Sequence, residues 1–442
     1  MLTYICNLSL RTGVFPERWK GATITPLPKV KVVSELGELR PISLTPDLGK
    51  ILEGLVTQVM LKDIKPSIDE RQYGNLKGRS TTHYLIFLID EIYKALDQPH
   101  TIATLTLIDF KKAFDFVDHT SAISELINMG CRSSIIPFIS SFLTGRRHRV
   151  RYKGATSDYA PITCGVPQGT KAGGVVFLAL VDSLCRTVRQ RGKFVDDLAM
   201  AHITKILDEI RYMIQPDPNV LNTQCEDKHM QNNPLKSEVM HYCPPKRPIV
   251  LPELHLGGVP LPVVQQYKLL GVHLTTDMNW NVHVAEITKK ANKSIFMIRR
   301  AKQFSFSQKS LTTLFQWFVR TTLEYAAPVW HPGLTEQQHA QLERVQRRCL
   351  RIMLGQEYQG YEAALERLQF SSLRDRREML TLRLGKSILK SPEHRSLLPP
   401  SMAEVHGRAT RHGHRLRVPV GTTARYRKTF VPYVVTLLNE QM

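Results

Sequence analysis

Cysteine is scarce and badly placed for any framework. The seven residues, Cys6, Cys131, Cys164, Cys185, Cys225, Cys243 and Cys349, are scattered through 442 positions, odd in number, and never form a Cys-x-x-Cys pair. This excludes a disulfide scaffold, argues against structural zinc, and points to reduced thiols in an intracellular compartment, cytoplasm or nucleus. Long apolar runs are missing as well. The longest, around Val175 to Val181, falls far short of the roughly 20 residues a helix needs to cross a bilayer, so no membrane span is expected. Leu2, Ile5 and Leu8 recur at helical spacing without a basic flank or a small-residue cleavage site, which makes the N-terminus a packed helix ended by Gly13 rather than a signal peptide. Acidic residues are in deficit, 39 against 60 Lys and Arg, for a formal charge of +21. Such an excess disfavours an enzyme of small neutral metabolites and favours a polyanion, by default nucleic acid. On charge alone a ribosomal or chromatin protein, or a merely solvated surface, stays open.

The length allows two to four packed units. Arg11 to Pro46 is rich in Pro and Gly between short apolar runs, as in strands and loops projecting from a body. Helices are expected over Leu48 to Leu61 and Thr81 to Leu96. Ala103, Leu105 and Leu107 then alternate on one face of a strand that ends at Asp109. Phe110, Phe114 and Val117 follow at i, i+4, i+7 spacing, so the spacing predicts that Asp109 sits where a strand turns into a helix. Gly165 to Gly169 forms a turn that feeds a segment apolar on every side, Val175 to Leu184, which must be a buried helix. Phe194 to Met200 places Asp196 and Asp197 between apolar flanks, the pattern of a hairpin tipped with charge. Acidic doublets occur five times in the chain, so an ordinary polar turn is the competing reading. Beyond Tyr267 the pattern becomes largely helical. Leu342, Val345, Cys349 and Ile352 mark one helix face, Arg344, Arg347, Arg348 and Arg351 the other, and Gly355 the cap; a solvated face and a phosphate-binding face both fit. The tail from Ser401 holds seven Lys or Arg against Glu404 and Glu440 and reads as a basic arm, His412 and His414 included.

Phosphoryl transfer to a nucleic-acid 3′ end uses two divalent metals about 3.5 to 4 Å apart. Magnesium keeps water and phosphate oxygens in its shell, so two or three converging carboxylates suffice. A strand-end Asp109 opposite a hairpin-tip Asp196 and Asp197 would supply them; three unrelated surface aspartates are the bland alternative.

The order of short motifs goes further. Gly13-Val14-Phe15-Pro16, Arg40-Pro41-Ile42-Ser43-Leu44, Gln72-Tyr73-Gly74, Asp109 through Asp115, Gly165 through Gly169, Phe194 through Asp197, Asn233-Pro234-Leu235-Lys236 and Leu269-Leu270-Gly271-Val272 follow one another. This succession resembles the reverse transcriptases of retrotransposons without long terminal repeats (LINE-like), over about Leu10 to His283. The resemblance implies an α+β right-hand polymerase with an antiparallel palm sheet. A partial fingers region would occupy residues 1–100, a palm with motifs A to E 101–275, a helical thumb-like region 276–400 and a basic C-terminal arm 401–442. It implies that Asp109, Asp196 and Asp197 are metal ligands for two Mg²⁺ ions, with Mn²⁺ as a substitute, and that Lys236 protonates the pyrophosphate. Lys29 and Arg40 would bind the triphosphate, and Gln168 and Gly169 would line the nucleotide pocket. Phe110 and Phe114 would bind the substrate, Phe114 abutting the sugar; read from its own spacing, Phe114 is a core aromatic. The implied partners are an RNA template, a DNA primer and deoxynucleoside triphosphates.

Three departures carry expectations. Met1 falls inside the usual lead-in to the fingers and no endonuclease precedes it, which implies a truncated element. Ala172-Gly173-Gly174 replaces the usual leucine, glycine and proline, which predicts a loosened helix start. Gln215 to Met230 is polar and lacks the usual amphipathic helix, which unsettles the position of Lys236. The rivals are a catalytically inactive nucleic-acid-binding relic and a metal-dependent nuclease or phosphatase; the latter leaves Arg40, Phe114 and Gln168 unexplained.

Overall fold

A seven-residue strand, Ile102–Ile108, runs through the middle of the molecule with every residue buried, as a continuous aliphatic and threonine run requires. The computed structural model describes residues 1–205, 210–243, 251–407 and 413–441. Asp197–Thr204 and Glu238–Tyr242 flank the central strand, and Gln190–Phe194 lies outside the former, giving a four-stranded sheet whose pairings are all antiparallel. Alternation sends the strand's side chains into two cores. Ala103, Leu105 and Leu107 pack with the helix Thr81–Leu96 and the C-terminal helices. Ile102 and Ile108 pack on the other side with the helix Lys171–Asp182, whose apolar residues are buried all round, as expected.

A second sheet stands beside the first. Gly21–Pro28 pairs antiparallel with Leu39–Leu44 and parallel with Arg147–Tyr152, forming the projecting strands foreseen between Arg11 and Pro46. The C-terminal half is helical, with Asn281–Gln303, Glu336–Leu354 and Leu373–Lys390 as its long members. Gly355 ends the second of these at φ +60. Its basic face is partly engaged: Arg347 lies 4.8 Å from the Tyr361 ring centre and Arg351 lies 5.3 Å from that of Tyr358. Among the described residues no helix is long and apolar enough to cross a membrane.

Four expectations need correction. Residues 111–116 form turns, and regular helix resumes only at His119–Asn128. The i, i+4, i+7 spacing there came from three separate contacts: Phe110 bridges to Asn232, Phe114 stacks on Phe177, and the Val117 carbonyl takes the Gly165 N–H. The helix at Lys171 is not loose. Thr170 Oγ1 accepts from the Gly173 N–H at 3.2 Å, and the buried Glu53 carboxylate accepts from the Lys171 and Ala172 N–H groups, so three otherwise orphaned donors are satisfied. The stretch thought to lack a helix forms one over Pro216–Asp227, burying Pro218, Leu221 and Cys225. Finally, the tail is not simply an arm. Phe430–Glu440 is a helix whose Val431, Val434, Val435 and Leu438 join the main core; its charges were read and its apolar stripe was not. Arg408, Arg411 and His412 of that tail lie outside the described residues.

Candidate active site

The hairpin of Gln190–Phe194 and Asp197–Thr204 closes through two residues, because Phe194 pairs directly with Asp197. Val195 takes φ +62 in that turn, a conformation costing a β-branched residue of order 1–3 kcal/mol. The surroundings hold it there. The Tyr73 N–H donates to the Lys193 carbonyl at 2.8 Å, the Lys193 N–H donates to the Arg71 carbonyl at 3.0 Å, and a Cβ on Gly74 would stand 2.4 Å from the Val195 nitrogen. Beneath the turn Asp69 pairs with Arg191 at 2.6 Å and Lys193 at 2.8 Å. Burial alone would raise the Asp69 carboxyl, but these two cations outweigh it and hold it well below the usual carboxylate range. The acids at the tip thus ride on a braced turn.

The register in which Ile108 faces Leu198, continued by one residue, sets Asp109 opposite Asp197. Asn233 Nδ2 donates to Asp109 Oδ2 at 2.7 Å, and the Asp109 N–H donates to Ser237 Oγ at 3.0 Å. The Asn233 N–H reaches the Asp109 carbonyl at 2.9 Å, so the turn carrying Lys236 is stitched to the strand end. All three acids line one open cleft of about 1330 Å³, larger than the ~300–1,000 Å³ of ordinary small-molecule pockets.

Charge accumulates on its floor. Burial, then the Asp109 charge, raises the Asp196 carboxyl, against the lowering pull of Arg40 and Lys29. Burial, then Asp196 and Asp109, pushes Asp197 up to about 6. Mutually repelling carboxylates are a place where a cation is favoured. Among the described residues no three His, Cys, Asp or Glu side chains are already gathered to ligate one ion. Magnesium does not require that, since it keeps waters and substrate oxygens and takes one or two carboxylates. The all-oxygen donor set fits magnesium; zinc prefers the nitrogen and sulfur ligands missing from this cleft.

Nine of the ten residues singled out from sequence line this cleft: Asp109, Asp196, Asp197, Lys236, Lys29, Arg40, Phe110, Phe114 and Gln168. Gly169 does not; at φ +104 it packs near the Ser43 carbonyl and shapes the turn. That turn is tied down on two sides. The Ser43 N–H donates to the Gln168 carbonyl at 2.8 Å, and Gln168 Nε2 donates to Asp115 Oδ1 at 3.0 Å. A Cβ on Gly165 would sit 2.5 Å from the Asp115 carbonyl oxygen. The Phe114 ring stacks on the buried Phe177 at 4.3 Å between centres, so both readings of Phe114 have a basis: its ring is packed and it borders the cleft. Two positioning residues were missed, Asp115 for Gln168 and Asn233 for Asp109. Both lay inside quoted motifs, and their polarity beside a site residue was the available signal.

These features define a class. Residues 27–274 match the family model described as reverse transcriptase (RNA-dependent DNA polymerase), and the chain belongs to that family, whose polymerase domains have the right-hand α+β fold. Over 371 residues, 81% of the chain, it is 25% identical to the probable RNA-directed DNA polymerase from transposon X-element of Drosophila melanogaster, covering 40% of that protein. It is 26% identical over 318 residues, 68% of the chain, to the RNA-directed DNA polymerase from mobile element jockey of the same fly, covering 34% of it. The chain therefore spans about a third to two fifths of these relatives. Among solved structures, apo telomerase from Candida tropicalis aligns over 90% of this chain and 72% of its own at 12% identity and TM-score 0.45.

Proposed function

We propose that the chain is the polymerase part of a retrotransposon reverse transcriptase without long terminal repeats, copying an RNA template by extending a DNA primer with deoxynucleoside triphosphates. One observation supports this above the others: Asp109 and the sequence-distant pair Asp196 and Asp197 share a cleft with the basic, aromatic and amide side chains that a nucleotide requires. The primer 3′-hydroxyl attacks the α-phosphorus and passes its proton to solvent water in the open cleft, the bond from the α-phosphorus to the bridging oxygen breaks, and pyrophosphate leaves with that oxygen. Asp109, Asp196 and Asp197 would hold two Mg²⁺ ions, which would supply neutralisation of the attacking oxygen and of the triphosphate. Arg40 and Lys29 meet the triphosphate oxygens. Lys236, on the turn beside Asp109, delivers a proton to the departing pyrophosphate, and Gln168, oriented by Asp115, lines the nucleotide pocket.

Two consequences are measurable. Arg offers a planar fork that Lys lacks, so Arg40→Lys should raise KM for the incoming nucleotide about tenfold or more while leaving RNA affinity unchanged; an unaltered KM would remove Arg40 from the triphosphate site. Phe114, fixed by Phe177, sets the wall against the sugar. Phe114→Ala should lower the preference for deoxy- over ribonucleotides by about 10- to 200-fold, the scale on which one lost steric contact acts. Unchanged sugar selectivity with lowered stability would make Phe114 a core residue only. The reading as a whole is tested by Mg²⁺-dependent primer extension, and salt-sensitive RNA binding with no extension at high nucleotide concentration would select the inactive relic instead.

A further inference from the structure

One short stretch of chain, Arg40 to Glu53, both lines the cleft and holds the turn that carries Gln168. Arg40 and Ser43 belong to the strand Leu39–Leu44, and Glu53 lies early in the helix Asp47–Ile64 that follows it. The first hold is the Ser43 N–H on the Gln168 carbonyl at 2.8 Å. The second is Glu53 Oε2, which accepts from the Lys171 N–H at 3.1 Å and the Ala172 N–H at 3.4 Å, the first two residues of the helix Lys171–Asp182. Between these holds the Thr170 hydroxyl donates to the Pro167 carbonyl at 2.8 Å, so the turn and the helix start are tied into one piece.

Glu53 is only 1% exposed, a costly place for a carboxylate. Packing alone would put an apolar residue there, as at the neighbouring Leu52 and Val56. Burial raises the Glu53 carboxyl, and the Ala172 N–H and the Arg146 charge draw it back. Arg146 is the cation of the same interior, 2% exposed, with Nη1 donating to the Phe142 carbonyl at 3.0 Å. Its Nε and Nη2 meet no hydrogen-bond partner among the described residues, and neither does Glu53 Oε1. The acid is therefore committed to the helix start, not to a direct pair with Arg146. We infer that Glu53 is a positioning residue of the nucleotide site: by holding the start of the Lys171 helix it sets the Gln168 backbone against Arg40, and so the fit of base and sugar relative to the triphosphate. Asp115 orients the Gln168 amide; Glu53 holds the main chain behind it. The inference rests on the polymerase reading of the cleft, in which Gln168 and Arg40 meet the same nucleotide.

The test uses the full chain and two isosteric variants, Glu53→Met and Glu53→Gln. Both remove the charge that faces Arg146, and only the glutamine retains an oxygen for the two N–H groups. In primer extension on an oligoadenylate template, Glu53→Met should raise KM for deoxythymidine triphosphate at least about tenfold and keep kcat within about threefold. Inhibition by inorganic triphosphate, which needs Arg40 but not Gln168, should stay unchanged. Backbone hydrogen exchange should quicken over residues 166–173 and not over 190–204. Glu53→Gln should match the parent in every one of these readings. Identical behaviour of the two variants would overturn the inference, because lost charge or packing would then account for the effect. Weaker inhibition by inorganic triphosphate in step with the rise in KM would overturn it too, as general damage to the cleft. A parent chain that extends no primer would sink the polymerase reading instead; the hold on the turn would then be judged by exchange alone, and equal rates in Glu53→Met and the parent would overturn it.

Discussion

Primer extension by an Asp196→Asn chain is expected to fall at least about a thousandfold, with the fold intact and the RNA affinity little changed. The expected size follows from removing one charge from the group that must neutralise a transition state. Asp196 borders the cleft; burial and then the Asp109 charge raise its carboxyl, and Arg40 and Lys29 lower it. The amide keeps the shape and discards the anion, so only the electrostatic role is lost. Activity within tenfold of the parent would refute the assignment of all three acids.

The neighbouring substitution separates function from stability. The folded chain holds the Asp197 carboxyl at about 6 against an ordinary 3.8. Between these values the folded state keeps a proton that the unfolded chain has released, so stability falls as pH rises through that window and the deficit is complete by pH 7. In full the rise corresponds to roughly 3 kcal/mol; solvent entering from the cleft reduces it to about 1–2 kcal/mol. Asp197→Asn should therefore resist denaturant better than the parent at pH 7 by about that amount, match it at pH 4, and still fail to extend a primer. A variant no more stable at pH 7 than at pH 4, relative to the parent, would mean that burial and the neighbouring acids do not raise this carboxyl in the folded chain.

The placement of the cleft residues was legible because it is written in residue types at element ends. Alternation ended at Asp109, apolar flanks bracketed Asp196 and Asp197, and the motif order linked them to Arg40 and Gln168. What could not be read were contacts that fix orientation. Asn233 reaches Asp109 across 124 residues, and Asp115 reaches Gln168 across 53; no periodicity reports on either. Periodicity also misled at Phe110, Phe114 and Val117, where three unrelated anchors happened to imitate a helix. In the tail the failure was one of weighting. Val431, Val434, Val435 and Leu438 keep the i, i+3, i+4, i+7 rhythm of a buried helix face, but seven cations nearby dominated the composition.

Gly74→Ala should damage the site from outside it. A Cβ at position 74 would lie 2.4 Å from the Val195 nitrogen, 2.7 Å from Val195 Cγ2 and 3.0 Å from the Phe194 carbonyl carbon. Two of these are backbone atoms, which no rotamer change can move aside. The hairpin cannot retreat freely either, because Lys193 is hydrogen-bonded to Arg71 and Tyr73 in the same segment as Gly74, and Asp69 holds Arg191 and Lys193 from below. The added methyl must therefore displace the tip, where Val195 is already at φ +62. Overpacking of this kind costs about 1–3 kcal/mol, and a shift of about 1 Å at a catalytic group costs on the order of a hundredfold in rate. Adding Val195→Gly to Gly74→Ala removes the Cγ2 contact and frees the turn conformation, so part of the stability and of the extension rate should return. Full activity in the single variant, measured by primer extension beside a denaturation curve, would show that the tip has room to move and that the brace does not set the position of Asp196.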